Sequence, residues 1–263
     1  SMNIKCFPLI NILLLNLFVS CAIKKVKRSP ANSLNLKQKL LKNVKSAHFW
    51  APLGIASVIH LSKSDDKISE WAYENKPVYG TRENAMKKSD ELNTILEAQM
   101  YGSILLIPYS APSESPLYYS FAKAGAGLAA YLAFKQTRDV TYHAKVAADR
   151  ERPNSADYLS FPSGHSSAAS AARTVTSKNL EQLQYSRTTE LIWNGLNTTV
   201  AAGTLWARVE SKWHYPVDTL VGYSLGQIVS STIYDSLSEF NPNSFFNFMF
   251  DKDSASATYK VSF

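Results

Sequence analysis

Three short stretches of this chain carry side chains whose types and spacing fit the chemistry of an oxyanion: Lys145 to Pro153 (KVAADRERP), Pro162 to His165 (PSGH) and Arg208 to Asp218 (RVESKWHYPVD). Lys145 and Arg152 stand seven positions apart, so a helix over 140–152 carries both cations on one face, and Pro153 stops it just beyond. In the second stretch Ser163 and Gly164 lead into an Ala/Ser-rich run predicted to be helical. The free N–H groups at such a helix start favour an anion, and His165 sits in the first turn. Pro216 suits the first position of a further helix, which puts His214 just before it and Asp218 one turn on, within reach of the imidazole.

The reaction that uses this set is phosphoryl transfer through a covalent phosphohistidine. A neutral imidazole attacks phosphorus when a carboxylate holds its other nitrogen, fixing the tautomer and stabilising the developing positive charge. Arginine supplies planar, permanently charged donors for the phosphoryl oxygens. A leaving alkoxide needs a proton, which a second histidine gives. These roles fall on His214 as nucleophile, Asp218 as its orienter and His165 as general acid. Lys145, Arg152 and Arg208 form the phosphate clamp, completed by the Ser163 hydroxyl and the Gly164 amide.

KVAADRERP, PSGH and RVESKWHYPVD in this order resemble the three-part signature of the type 2 phosphatidic acid phosphatases. That superfamily takes in bacterial class A acid phosphatases, lipid phosphate phosphatases and vanadium haloperoxidases. The resemblance covers roughly residues 120 to 235 and implies an all-α fold with these same residues in the roles above. Two positions depart from the pattern. Ala207 stands where the family has a Ser before Arg208, and only residues 154–161 separate Arg152-Pro153 from PSGH, so that loop must be tight.

Taken singly, each residue has a plainer reading. Lys145 and Arg152 lie in a charged run with Asp149, Arg150 and Glu151, and such runs are usually solvated helix faces. Asp218 near a helix start complements the helix dipole. The ordered combination is what outweighs these readings. His48, His60 and His143 lack such context and read as structural; Trp213, beside the nucleophile, reads as core or pocket lining.

The 263 residues suit one domain with a sizeable core once the ends are set aside. Ser1 before Met2 reads as a cloning scar. Lys5 followed by the apolar stretch Phe7 to Val19 reads as an export signal, and Leu17-Phe18-Val19-Ser20-Cys21 resembles a bacterial lipoprotein cleavage box with Cys21 lipidated. Cys6 and Cys21 are the only cysteines, so the domain that follows has no thiol, and neither a Cys cluster nor HExxH points to a metal; no cofactor is implied. The net charge is +7, with Lys24, Lys25, Lys27 and Arg28 directly after the signal, a placement that favours a membrane-proximal tether over nucleic acid. Residues 1–21 are thus expected to be signal, 22–46 a basic linker and 47–263 the helical domain. The protein is expected on the periplasmic side of a membrane as an outer-membrane lipoprotein.

Apolar periodicity predicts helices over 84–107, 117–137, 140–152, 164–185, 188–207 and 216–236, with a Pro/Ser loop at 108–116. Gly125 and Gly127, among alanines, are expected to permit close helix contact, and Tyr259, Val261 and Phe263 alternate as in a short extended tail. The expected architecture is all-α, a single helical bundle. The leading function is hydrolysis of a phosphorylated small molecule or lipid. The alternatives are a vanadate-dependent haloperoxidase and a non-catalytic phosphate-binding lipoprotein. A phosphatase assay with and without vanadate separates all three.

Overall fold

A computed structural model describes residues 35–106, 116–181 and 186–238, and all regular structure among them is helical. The helices are α1 (Leu36–Val44), α2 (Ala47–Leu61), α3 (Asp65–Asn75), α4 (Arg82–Leu106), α5 (Pro116–Ala148), α6 (Gly164–Glu181), α7 (Arg187–Glu210) and α8 (Pro216–Ser238). The all-α expectation therefore holds. Caps explain several of the boundaries. Asn35 and Gln38 form a reciprocal capping box on α1, Ser46 accepts from the His48 N–H, and Ser186 accepts from the Thr189 N–H.

Helix α6 is the axis of the bundle, packed against α4, α5, α7 and α8. Its sequence is rich in Ala, Ser and Thr rather than Leu, which lets neighbouring backbones come close on every side. Ala169, Ala171, Ala172 and Val175 are fully buried against Leu96 and Met100 of α4, Ala130 and Ala133 of α5 and Ala201 of α7. The tightest approach is to α8. A Cβ on Gly222 would lie 2.5 Å from the Ser163 carbonyl oxygen, and one on Gly226 would lie 2.3 Å from that of Ser167. Only glycine allows this contact, and it fixes the start of α6 beside the start of α8. The sequence reading gave that role to Gly125 and Gly127. At both, an added Cβ meets nothing within 4 Å, because they face away from the packed side of α5.

Two further expectations need correction. The linker expected over 22–46 is helical over 36–44, where α1 packs on α8 and Asn43 donates to Asp235 at 3.0 Å. The helices expected over 117–137 and 140–152 are one continuous α5, since nothing between them breaks a helix. It ends at Ala148, earlier than expected, because Asp149 takes the left-handed conformation (φ 45°). Residues 1–34 and 239–263, with the signal, Cys21 and the alternating tail, and residues 107–115, with most of the Pro/Ser loop, lie outside the described residues.

Candidate active site

The break at Asp149 decides how the first stretch enters the site. Beyond it the chain is extended, and Arg150 forms an isolated parallel bridge with Leu159. Lys145 comes from the last turn of α5, whereas Arg152 comes from this extended segment, so the two do not share a helix face as expected. Arg150 and Arg152, two apart on extended backbone, point to the same side instead. The loop over 154–161 is tight, as expected. It is closed by Arg152 N–H to the Asp157 carbonyl (3.0 Å), Ser155 N–H to the Arg152 carbonyl (2.9 Å) and Ser160 N–H to the Arg150 carbonyl (2.9 Å).

His214 is fully buried at the centre. The Arg152 guanidinium places Nη1 3.2 Å from His214 Nε2 and also donates to the Trp213 carbonyl at 3.1 Å. A guanidinium only donates, so Nε2 presents a lone pair and the ring proton resides on Nδ1. Burial and the Lys145, Arg208 and Arg152 cations hold the imidazole well below its ordinary pKa. His214 is therefore neutral at neutral pH, with the lone pair of Nε2 meeting the Arg152 guanidinium. That is the state a nucleophile requires.

Asp218 stands close to His214 but does not hydrogen-bond it. Its Oδ2 lies 3.8 Å from Nδ1, beyond hydrogen-bond reach. The carboxylate is taken up by other donors: Arg150 Nη1 on Oδ1 (2.5 Å), and Ser160 Oγ (2.6 Å) and the Tyr215 N–H (2.9 Å) on Oδ2. Burial raises its pKa, opposed by Arg150 and those hydrogen bonds. Arg150 also donates to Asp65 at 2.7 Å and stacks on the Tyr215 ring 4.2 Å from its centroid. Asp65 in turn accepts from the Val217 N–H at 2.9 Å, so α3 caps the start of α8. Asp218 therefore ties together the loop, the turn at Tyr215 and α3, and acts on His214 as a nearby charge.

Lys145, Arg152 and Arg208, the cations expected to clamp phosphate, lie near His214. Lys145 donates to the Leu159 carbonyl at 2.6 Å, and burial, followed by the Arg152 charge, lowers its pKa to about 8. Arg208, in the last turn of α7, is buried, donates to Ser89 Oγ at 3.3 Å and is lowered to about 10 by burial and Arg152. Trp213 lies between the two arginines, 4.8 Å from the Arg152 guanidinium and 5.2 Å from that of Arg208, and so sets the spacing of the clamp. The buried Arg208 Nε and Trp213 Nε1 donors have no hydrogen-bond partner, and buried donors of this kind are costly to leave unpaired.

Ser163 is buried. Its N–H donates to the Asp218 carbonyl at 2.9 Å, and its Oγ accepts from Ser166 Oγ at 3.0 Å, so it caps α6 and keeps its own hydroxyl proton for another acceptor. Gly164 passes over Lys145, with a Cβ position 3.6 Å from Lys145 Cε. His165 is half exposed and pairs with Asp90 of α4, 2.8 Å from Nε2 to Oδ1. Burial and Arg208 lower its pKa while Asp90 raises it.

Sequence reasoning missed Asp90, Asp65, Asp157 and the role of Arg150. The carboxylates lie outside the three stretches or in the loop between them, and only the folded chain brings them in. Arg150 was legible only as part of a charged run. Among the described residues no group of three or more His, Cys, Asp or Glu side chains is arranged to hold a metal ion.

Residues 119–241 match the family model described as the PAP2 superfamily, and this segment holds the eight catalytic and phosphate-binding residues expected from the sequence. No curated protein sequence matches the chain. Among solved structures the chain is similar to one described as the first transmembrane PAP2 type phosphatidylglycerolphosphate phosphatase from Bacillus subtilis. The identity is 21% and the TM-score 0.46, over 74% of this chain and 94% of that one. Among the described residues no helix is long and apolar enough to cross a membrane.

Proposed function

We propose that this protein hydrolyses phosphate monoesters through a phosphohistidine on His214, without a metal ion. The observation that carries this reading is the buried, neutral His214, whose Nε2 lone pair meets the Arg152 guanidinium and whose ring lies in the field of Lys145 and Arg208. A phosphoryl group entering there exchanges the Arg152–His214 contact for Arg152–oxygen contacts and gives the unpaired Arg208 Nε and Trp213 Nε1 donors their acceptors.

His214 Nε2 attacks phosphorus, the N–P bond forms and the P–O ester bond breaks. The departing alkoxide takes a proton from protonated His165, which leaves as part of the alcohol. The imidazole, now phosphorylated on Nε2 and protonated on Nδ1, carries a positive charge that Asp218 stabilises from 3.8 Å. Neutral His165 then accepts a proton from water as its oxygen attacks phosphorus, the N–P bond breaks, and phosphate leaves with both histidines restored. His165 is suited to both halves because Asp90 favours its charged form while burial and Arg208 favour the neutral one.

The substrate class is a phosphorylated small molecule or lipid. Export and lipidation at Cys21 remain part of the proposal through the apolar segment and the box before that cysteine. The test is hydrolysis of a chromogenic phosphate monoester with and without EDTA and orthovanadate. Turnover should survive chelation and fall with vanadate, which occupies the same clamp as the trigonal-bipyramidal phosphorus. Loss of activity in EDTA with rescue by zinc or magnesium overturns the mechanism.

A further inference from the structure

The charge of this chain is unevenly placed. Residues 1–64 contain ten Lys and Arg and neither Asp nor Glu, whereas residues 65–263 contain 18 Lys and Arg against 21 Asp and Glu. The whole excess of +7 therefore comes from the first quarter of the chain, and the remainder is mildly acidic. Helices α1 and α2 form the described end of that basic segment, and both pack by one side onto α8.

Their outer sides are apolar to a degree unusual for a surface. Helix α2 has 15 residues and no Lys, Arg, Asp or Glu among them, yet only Ala56 is buried. Trp50 is 56% exposed, Ile55 55%, Val58 67% and Leu61 80%. On α1, Leu36, Leu40 and Leu41 are exposed beside the exposed Lys37, Lys42 and Lys45. Isolated exposed leucines are ordinary, but an uncharged helix lying outermost and flanked by a purely basic segment is not. At 1.5 Å per residue α2 is about 22 Å long, short of the ~30 Å needed to span a bilayer. Leu191, Ile192 and Leu196 of α7 and Leu128 of α5 are exposed too, but they adjoin no such basic run.

From this charge and apolar pattern we infer that α1 and α2 form a docking face for an anionic lipid surface. Helix α2 lies in the interface plane with Trp50, Ile55, Val58 and Leu61 among the acyl chains, and Lys37, Lys42 and Lys45 meet the phosphate headgroups. The occupant is a bilayer rather than a protein groove because the cations continue upstream through Lys24, Lys25, Lys27 and Arg28, immediately after an apolar segment with membrane-targeting character. The docked face also adjoins the site, since α2 runs through residues 62–64 into Asp65, the residue that holds Arg150 and the start of α8. The inference stands apart from the catalytic reading and fails separately from it.

The test uses the full chain and two kinds of vesicle, phosphatidylcholine alone and phosphatidylcholine mixed with phosphatidylglycerol, in a sedimentation assay at low and high salt. The chain should bind the anionic vesicles, less so at high salt. Ile55→Asp/Val58→Asp should weaken binding by about tenfold or more. Lys37→Gln/Lys42→Gln should weaken it by about fivefold per charge at low salt and less at high salt. All four positions are exposed, so folding is retained and hydrolysis of a soluble ester stays unchanged. Undiminished vesicle binding by the aspartate variant overturns the inference by placing binding in residues 1–34. Absence of vesicle binding, with the aspartate variant converting a dimer to a monomer, overturns it by assigning the face to a second copy.

Discussion

Gly222→Ala probes whether the contact between α8 and the start of α6 sets the geometry of the site. The new Cβ would stand 2.5 Å from the Ser163 carbonyl oxygen, 3.1 Å from its nitrogen and 3.3 Å from its carbonyl carbon, all backbone atoms. Ordinary contact begins at 3.4 Å, so the two backbones must part by about 0.9 Å. Overpacking of this kind costs ~1–3 kcal/mol and the helix gains up to ~1 kcal/mol when Ala replaces Gly, so a net loss of up to ~2 kcal/mol remains. Activity is the sensitive quantity. Ser163, Gly164 and His165 move away from His214 with the displaced segment, and a misplacement of ~1 Å in a catalytic constellation costs about 10²-fold in rate. The assay compares kcat/KM and Tm of Gly222→Ala with those of Gly125→Ala and Gly127→Ala, where a Cβ meets nothing within 4 Å. Those two should raise stability by up to ~1 kcal/mol each, about 2–4 °C in Tm, and leave kcat/KM unchanged. Wild-type kcat/KM in Gly222→Ala would refute the reasoning, as would an equal loss in the α5 variants.

His165→Ala should slow hydrolysis of alkyl phosphates by about 10²-fold or more relative to nitrophenyl phosphate, because only the alkoxide needs the acid; equal losses in the phosphorylating step, read from burst kinetics, would make His165 a binding residue. Asp90→Asn removes the group that raises the His165 pKa, so the pH above which kcat/KM for alkyl esters declines should move lower; an unmoved limb separates Asp90 from the acid. Lys145 is charged below its pKa of about 8 and neutral above it, so kcat/KM for nitrophenyl phosphate should fall as pH rises through about 8. Lys145→Arg should abolish that fall, since a guanidinium keeps its proton, and persistence of the same limb in the variant assigns it elsewhere.

The all-α class and the convergence of Lys145, Arg152, Arg208, His165 and His214 were legible because periodicity and motif order are local properties of the chain. What was not legible depended on contacts between distant segments. The single helix α5 and its end at Asp149 turn on one left-handed residue, and that residue moved Arg152 off the helix and aligned it with Arg150. Spacing put Asp218 within reach of His214, but it carries no information on competing donors, and Arg150, Ser160 and the Tyr215 N–H hold the carboxylate instead. Asp90 and Asp65 come from helices outside the motif region. The glycines that matter for close packing were misassigned because a GxG among alanines looks the same whichever way it faces.

Trapping the intermediate tests the central claim most directly. Rapid alkaline quench of the enzyme turning over a ³²P-labelled monoester, followed by peptide mapping, should recover label on His214, bonded through Nε2, and His214→Ala should yield neither label nor turnover. A quenched enzyme without label despite burst kinetics, or label on any other residue, would contradict the account.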